Sequence, residues 1–450
     1  MKLSVDECVL KVYNERNHSL SFWHQIDGCE LCPLVKKFTL KANHNTSIKL
    51  TTQYDHEMEV RHADQVLCSF THWSLNDHAE IVILLMIFVN NKGGGYVFFG
   101  HSPWFGYTIA DCVFPFFMFI MGISTAFSLR SQIIRADSVN IVKVLKRIMK
   151  RTVLLFLLGL AINSMSETRL SHLRIPGVLQ RFAICYLLVA LSHTYSLLRM
   201  RQNNMSQLPE TNYSIAHYFI DIYPYWFEWL FITFLSMIYF LITFVWNYSD
   251  NCPIGYQGPG GLYDNASHPN CTGGAARALD VIILGENHLY QGILGTATST
   301  ILVFLGLQAG KIFASYQSHK SRIIRWLLWG LLSGIATFVV WFNQWTPMCK
   351  NLWSFSFISF SAFLAFLLLT LLYILIDAEN LWTNGTPFNK PGMNAIVLYV
   401  GHEVTHRMFP WYFHVDETSH SWLLFRSLYT TFLWFVISII MANKRIFISL

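Results

Sequence analysis

At 450 residues, 53% hydrophobic and only 13% charged, with 36 Phe and 15 Trp, the chain is too apolar for an ordinary soluble protein. A mean hydropathy of +0.37 and long uncharged runs make it an all-α polytopic membrane protein with about ten transmembrane helices. The net charge of +6 does not point to nucleic acid, because the basic residues fall in loops between apolar runs, which is the positive-inside pattern.

Residues 1–80 are polar and mixed, with weak alternation over Phe38–Leu50 that allows a few strands at most. They read as a short, poorly defined soluble segment, truncated or divergent and partly β, ahead of a transmembrane domain over 81–450. Met1 to Glu7 lacks the apolar core of a secretory signal. Cys29-Glu-Leu-Cys32 could be a redox or zinc half-site, but no second pair accompanies it. Asn17-His-Ser19 and Asn45-Thr-Ser47 are glycosylation sequons, informative only if this end is lumenal.

From Ile81 the apolar runs predict spans at 81–91, 108–129, 152–164, 182–199, 226–247, 292–313, 324–342, 353–376, 394–409 and 423–441. Several are shorter than the ~20 residues a helix needs to cross a bilayer. Their ends extend into the flanking loops, or they pack inside the bundle.

Charge sets the orientation. Arg130, Arg135, Lys143, Lys146, Arg147, Lys150 and Arg151 crowd one loop, Arg199 and Arg201 begin a second, and Lys311, Lys320, Arg322 and Arg325 fill a third. With Lys444 and Arg445 they share one side, taken as cytosolic. The loops holding His101, Arg174, Asn270 and Cys349 then share the other side. So do the sequons at Asn247, Asn265 and Asn270, an independent signal for the same topology. Cys252 and Cys271 bracket a glycine-rich loop there and could pair in an extracytoplasmic setting. The same count puts residues 1–80 in the cytosol; either that end is cytosolic or a further span precedes the ten.

The stretch Asn90–Gly122 concentrates the chemistry. A loop, Gly93-Gly94-Gly95-Tyr96-Val-Phe98-Phe99-Gly100-His101, is pinned between two apolar runs, and Asp111 opens the second. Imidazole titrates near neutrality, so His101 can take a proton from an amine or accept an acyl group itself. An interfacial histidine beside Phe98, Phe99 and Trp104 is the plainer alternative. Thr108-Ile-Ala-Asp111 also fits a helix capping box, and a capped carboxylate can still orient an imidazole. The three glycines permit close backbone approach, but no strand precedes them and no Lys-Ser/Thr follows, so they are not a phosphate loop. Arg181 lies within a predicted span, where an arginine costs roughly 2.5–3.5 kcal/mol on insertion scales and normally faces a partner. Asn394, His402 and Glu403 are polar groups in another apolar run, where interhelical hydrogen bonding is the plainer reading.

Taken together these phrases resemble the heparan-alpha-glucosaminide N-acetyltransferase family of lysosomal membrane enzymes. The resemblance is carried by Phe88-Val-Asn90, Phe98-Phe-Gly-His101, Thr108-Ile-Ala-Asp111-Cys-Val-Phe-Pro115 and Arg174-Ile-Pro-Gly-Val-Leu-Gln-Arg181. Further matches are Gly255-Tyr-Gln-Gly-Pro-Gly-Gly261, Pro269-Asn-Cys-Thr-Gly-Gly-Ala275, Lys350-Asn-Leu-Trp-Ser354, Pro391-Gly-Met-Asn394 and Tyr399-Val-Gly-His-Glu403. It implies a multi-pass lysosomal acetyltransferase that takes acetyl-CoA from the cytosol and acetylates the terminal glucosamine of heparan sulfate in the lumen. It needs no metal, and a homodimer is an assembly the resemblance leaves open.

By resemblance His101 is the active-site histidine, with Asp111 beside it. Asn90, Arg174, Arg181, Asn394 and His402 would lie around the cofactor or acceptor. Departures are also visible. Ser74-Leu-Asn-Asp-His-Ala-Glu80 stands where the family has Ser-x-Asp-x-x-Arg-Gly, Lys92 occupies a glycine position, and the loop after Gln291 is shortened. They keep a catalytically impaired relative in view, alongside a proton-coupled transporter, whose expected internal repeat is not evident.

Overall fold

The computed structural model describes six strands between residues 7 and 72 and, from residue 77 on, the chain outside 135–138, 165–176, 204–218, 286–291 and 383–388, and positions 317, 380, 393, 407, 445 and 449–450. Side chains are described from residue 81. The chain divides into two compact units, one holding the strands and the other the helical bundle.

In the first unit β1 (Glu7–Tyr13) pairs antiparallel with β4 (Asn45–Thr51). A second antiparallel sheet has the order β3 (Val35–Leu40), β2 (Leu20–His24), β5 (His56–His62), β6 (Gln65–His72). The alternation noticed in the sequence belongs to β4, where Thr46, Ile48 and Leu50 alternate with Ser47, Lys49 and Thr51. The Cys29/Cys32 pair and Asn17 lie outside the described residues.

In the second unit every predicted apolar run is helical. The helices are α1 (Asp77–Asn90), α2 (Ile109–Ile133), α3 (Ile141–Ser164), α4 (Val178–Gln202), α5 (Trp226–Phe244), α6 (Gly274–Leu284), α7 (Ile293–Ser315), α8 (His319–Phe342), α9 (Phe355–Tyr373), α10 (Ala395–Thr405) and α11 (His420–Asn443). Among the described residues seven of them, α2, α4, α5, α7, α8, α9 and α11, are long and apolar enough to cross a membrane, which makes this a multi-pass membrane protein. The estimate of ten spans exceeds seven for local reasons. α1 and α10 are too short to cross. The first half of α3 carries Lys143, Lys146, Arg147, Lys150 and Arg151. α6 was not anticipated. Its Asp280 accepts the backbone N–H of Gly292 (3.0 Å) and Ile293 (2.9 Å), a carboxylate set at the positive end of α7.

Burial ranks the long helices. α7 and α2 are central, with 78% and 67% of their apolar windows buried, whereas α5 and α8 reach only 22% and 28%. The two central helices touch backbone to backbone. A Cβ on Gly122 would fall 2.0 Å from the Val303 carbonyl oxygen, and one on Gly306 would fall 1.9 Å from that of Phe119. Gly310 continues the contact one turn on, opposite Ile123 and Ala126. Lipid tails are as apolar as leucine, so close backbone approach at small residues is what holds helices together in a bilayer. This seam fixes the height of α2, and with it the height of Asp111.

Gly306→Val is therefore expected to destabilise the bundle by about 1–3 kcal/mol or more, the usual cost of overpacking. Gly334→Ala, whose new Cβ meets only the Phe363 ring at 3.2 Å or beyond, should be close to neutral. Thermal unfolding in detergent, followed by monodispersity, compares them; equal midpoints would contradict the seam.

Candidate functional site

The site begins with the chain leaving α1. Lys92 adopts a left-handed conformation (φ 75°), and Gly93, Gly94 and Gly95 follow with positive φ. A Cβ on Gly93 would strike Phe99 of the same loop, and the lack of side chains at Gly94 and Gly95 serves packing against α11. A Cβ on Gly95 would meet Leu423 at 2.8 Å and one on Gly94 would meet Leu424 at 3.2 Å. The ring of His420 bonds the Gly94 carbonyl (2.9 Å), and the Ser427 hydroxyl donates to the Asn91 carbonyl (2.7 Å). Lys92, at a position where resemblance led to glycine, pairs with Glu417 at 2.7 Å. The close approach expected of these glycines is thus made, at Gly94 and Gly95, to a neighbouring helix.

The chain then returns through His101 to α2. Thr108 ends the loop and Asp111 stands three residues on, so the carboxylate reaches back to the Thr108 N–H (3.2 Å), as a capping box requires. The same Oδ2 accepts the Thr108 hydroxyl (2.9 Å), the Ser102 hydroxyl (3.0 Å) and the Ser102 N–H (3.2 Å). Oδ1 faces His101 Nδ1 at 2.9 Å. Asp111 is fully buried, while the His101 side chain is 52% exposed. A buried, fully bonded carboxylate therefore holds one edge of an imidazole whose other edge faces out. Pro115, one turn on, removes the intrahelical donor for the Asp111 carbonyl.

Lys350 completes the cluster. Its ammonium lies 3.1 Å from Asp111 Oδ1, 2.9 Å from His101 Nδ1 and 3.4 Å from His101 Nε2. Burial pushes its pKa down, and the Asp111 charge pulls it back part of the way. The loop bearing it is held on both sides: Met348 accepts from the Gly106 N–H (2.9 Å), Asn351 donates to the Pro103 carbonyl (3.3 Å), and Ser354 caps α9. The Trp104 indole N–H donates to the Gln257 carbonyl (3.0 Å), tying the His101 loop to the glycine-rich loop that the Cys252–Cys271 disulfide closes. Lys350 opens one of the phrases that carry the resemblance, but its residue type and spacing assign it no role. The signal present was a single cation in a short loop between two apolar spans, and only the fold puts it beside His101.

The other expected site residues scatter. Arg181, buried at the start of α4, lays its guanidinium over the Trp353 ring at 4.5 Å, and that ring packs edge-on to Phe114 of α2. Trp353 stands three residues after Lys350 and Phe114 three after Asp111, so these rings link Arg181 to the two elements that carry the cluster. Asn90 donates to Glu403 of α10 at 3.4 Å. His402 is buried on α10 with its ring 5.7 Å from that of His406. Asn394, at the opposite end of α10, binds the carboxy-terminal tail, donating to the Ile446 carbonyl and accepting the Ile448 N–H, both at 3.0 Å. Nine helical residues, about 13 Å, separate Asn394 from Glu403. Arg174 lies outside the described residues. Among the described residues no group of three or more His, Cys, Asp or Glu side chains is gathered for a metal.

No family model matches the chain. It is 37% identical over 425 residues to a Mus musculus protein named heparan-alpha-glucosaminide N-acetyltransferase, covering 88% of this chain and 62% of that protein. It is 38% identical over 401 residues to the Homo sapiens protein of the same name, covering 83% of this chain and 59% of the other. The chain thus spans about three fifths of the length of these curated relatives.

Removing the carboxylate leaves the Lys350 ammonium facing unpaired dipoles, so Asp111→Ala should cost about 3–5 kcal/mol. Thr108→Val removes one charge-assisted bond and should cost about 1.5–3 kcal/mol. Thermal midpoints of the purified variants are expected in that order, and the reverse order would mean the carboxylate does not organise the loop.

Proposed function

For a chain homologous over most of its length to proteins named heparan-alpha-glucosaminide N-acetyltransferase, we propose the same activity. The protein would be a transmembrane N-acetyltransferase of the lysosomal membrane, carrying the acetyl group of cytosolic acetyl-CoA to the terminal glucosamine of heparan sulfate on the lumenal side. The observation that supports this best is the half-exposed His101 ring held by the buried Asp111 at 2.9 Å.

The chemistry asks for such a pair. A glucosamine amine in an acidic lumen is protonated and a poor nucleophile, so a base must remove a proton before or during attack on the thioester. With its Nδ1–H donated to Asp111, His101 keeps a lone pair on Nε2. The ammonium first loses one proton to solvent; His101 Nε2 then takes a second proton from the free amine as the N–C bond forms, and returns it to the departing thiolate as the C–S bond breaks. The same nitrogen could instead accept the acetyl group and pass it on, a two-step route. Asp111 fixes the tautomer and the ring orientation in either case. Arg181 over Trp353 offers a cation for a sulfate or a phosphate. Asn394 and His402, toward opposite ends of α10, and Asn90 of α1, which bonds Glu403 of α10, could be touched together only by a long ligand, and acetyl-CoA is one. The exposed asparagines of the three sequons, Asn247, Asn265 and Asn270, suit a glycoprotein whose His101 side is lumenal.

His101→Ala is expected to abolish transfer from acetyl-CoA to a fluorogenic glucosaminide in membranes, with expression and insertion unchanged. Full activity in that variant would remove the mechanism. A wild-type chain silent in this assay but giving substrate-dependent flux in liposomes would be a carrier. Burst kinetics or a trapped acetyl-imidazole would select the two-step route. Treatment with an N-glycosidase should also lower the apparent mass, and less so after Asn247→Gln, Asn265→Gln and Asn270→Gln are combined; an unchanged mass would contradict the sidedness.

A further inference from the structure

We propose that Lys350 is the oxyanion donor of the site: its ammonium stabilises the negative charge that develops on the acetyl carbonyl oxygen when the thioester is attacked beside His101. This rests on the acetyl-transfer reading above and adds a catalytic residue to it.

The donor count is the starting point. A carboxylate offers roughly four acceptor sites. Asp111 already receives the N–H and hydroxyl of Ser102, the N–H and hydroxyl of Thr108, and His101 Nδ1. Lys350, at 3.1 Å from Oδ1, is surplus to its hydrogen-bond needs. Charge neutralisation alone would be met by an ammonium tucked against the carboxylate and turned away from the opening. Instead Lys350 leans over the imidazole, 2.9 Å from Nδ1 and 3.4 Å from Nε2, with 23% of its side chain exposed. One ammonium this close to both ring nitrogens cannot lie on the lone-pair axis of each. The outward axis of Nε2 is therefore left open for a reacting group.

An ammonium carries three N–H donors. One is directed to Asp111. When Nδ1–H is itself donated to Asp111, Nδ1 cannot accept, so at most one further N–H is taken by Nε2. At least one is left for the oxygen of an acyl group brought up to the His101 ring. As the nucleophile adds, the carbonyl π pair moves onto oxygen and Lys350 bonds that oxygen without giving up a proton. When the pair returns, the C–S bond breaks and the thiolate takes the proton held on His101. Donors fixed in place and aimed at developing charge are commonly the largest single contribution to such a reaction. The holding of the Lys350 loop by Gly106, Pro103 and the α9 cap supplies the fixed position this needs.

The test compares purified full-length wild type, Lys350→Met, Lys350→Arg and Lys350→Ala in nanodiscs, with acetyl-CoA and a glucosaminide. Removing one oxyanion donor typically lowers kcat by about 10²–10³-fold. Lys350→Met is expected to fall by that factor with KM for acetyl-CoA changed less than about threefold. Lys350→Arg, still cationic, should recover part of kcat, and added methylammonium should raise the rate of Lys350→Ala, a rescue that a merely structural lysine would not give. A Lys350→Met enzyme with kcat near wild type, a defect confined to KM, or a loss that neither arginine nor methylammonium relieves would overturn the role of Lys350 alone. A wild-type chain with no transfer would overturn the acetyl-transfer reading and this assignment together.

Discussion

The helical unit is arranged around one buried carboxylate. Asp111 is fully buried at the head of a central helix and collects six donor contacts within 3.2 Å. An ionised carboxylate removed from water is expensive unless it is paired and hydrogen-bonded. The neighbouring segments supply what it requires: Ser102 and Thr108 come from the preceding loop, His101 from the same loop, and Lys350 from the turn between α8 and α9. Satisfying one charge thus determines where two chemically active groups, His101 and Lys350, sit. The site and the stability of its loop are the same set of bonds.

Precision at the head of α2 depends on rigidity farther down. Gly122, Gly306 and Gly310 let α2 and α7 approach until their backbones touch, and neither helix can slide without a clash. Around the mouth, Gly94 and Gly95 do similar work against α11, the disulfide-closed loop bonds Trp104, and Asn351 reaches Pro103. Each contact is worth little alone. Together they hold a half-exposed imidazole in a defined place on an otherwise mobile type of element.

A second buried charge cluster lies toward the other end of the bundle. Glu228 of α5 bonds His193 of α4 at 2.8 Å and Lys311 of α7 at 3.0 Å, and Asp221 accepts from Gln308 at 2.7 Å and Tyr316 at 2.8 Å. About 18 Å of α4 separates His193 from Arg181. Every described member of this cluster has a partner, and aromatic rings of Tyr225 and Phe304 cover Lys311. It ties α4, α5 and α7 together by charge, where the Asp111 cluster holds an imidazole at an opening.

Much of this was legible in the residues, for identifiable reasons. Apolar runs long enough to bury a helix must be helical in a bilayer, because no other local structure satisfies the backbone there; all ten runs are. The capping spacing from Thr108 to Asp111 is local, so the sequence predicts a contact that the structure contains. Short helices were harder: the runs behind α1 and α10 allow an extension into the flanking loops that the helices, ending at Asn90 and Thr405, do not make, and α6 has no long apolar run. What required the tertiary structure is every pairing between residues far apart in the chain. Lys350 is 249 positions from His101, Glu403 is 313 from Asn90, and the glycines of α2 and α7 are just as uninformative singly. A sequence records which groups are costly to bury, and that much it determined here. Which distant group meets each of them is decided by how the helices pack, because a buried charge is stabilised by whatever lies within about 3 Å in space, wherever it stands along the chain.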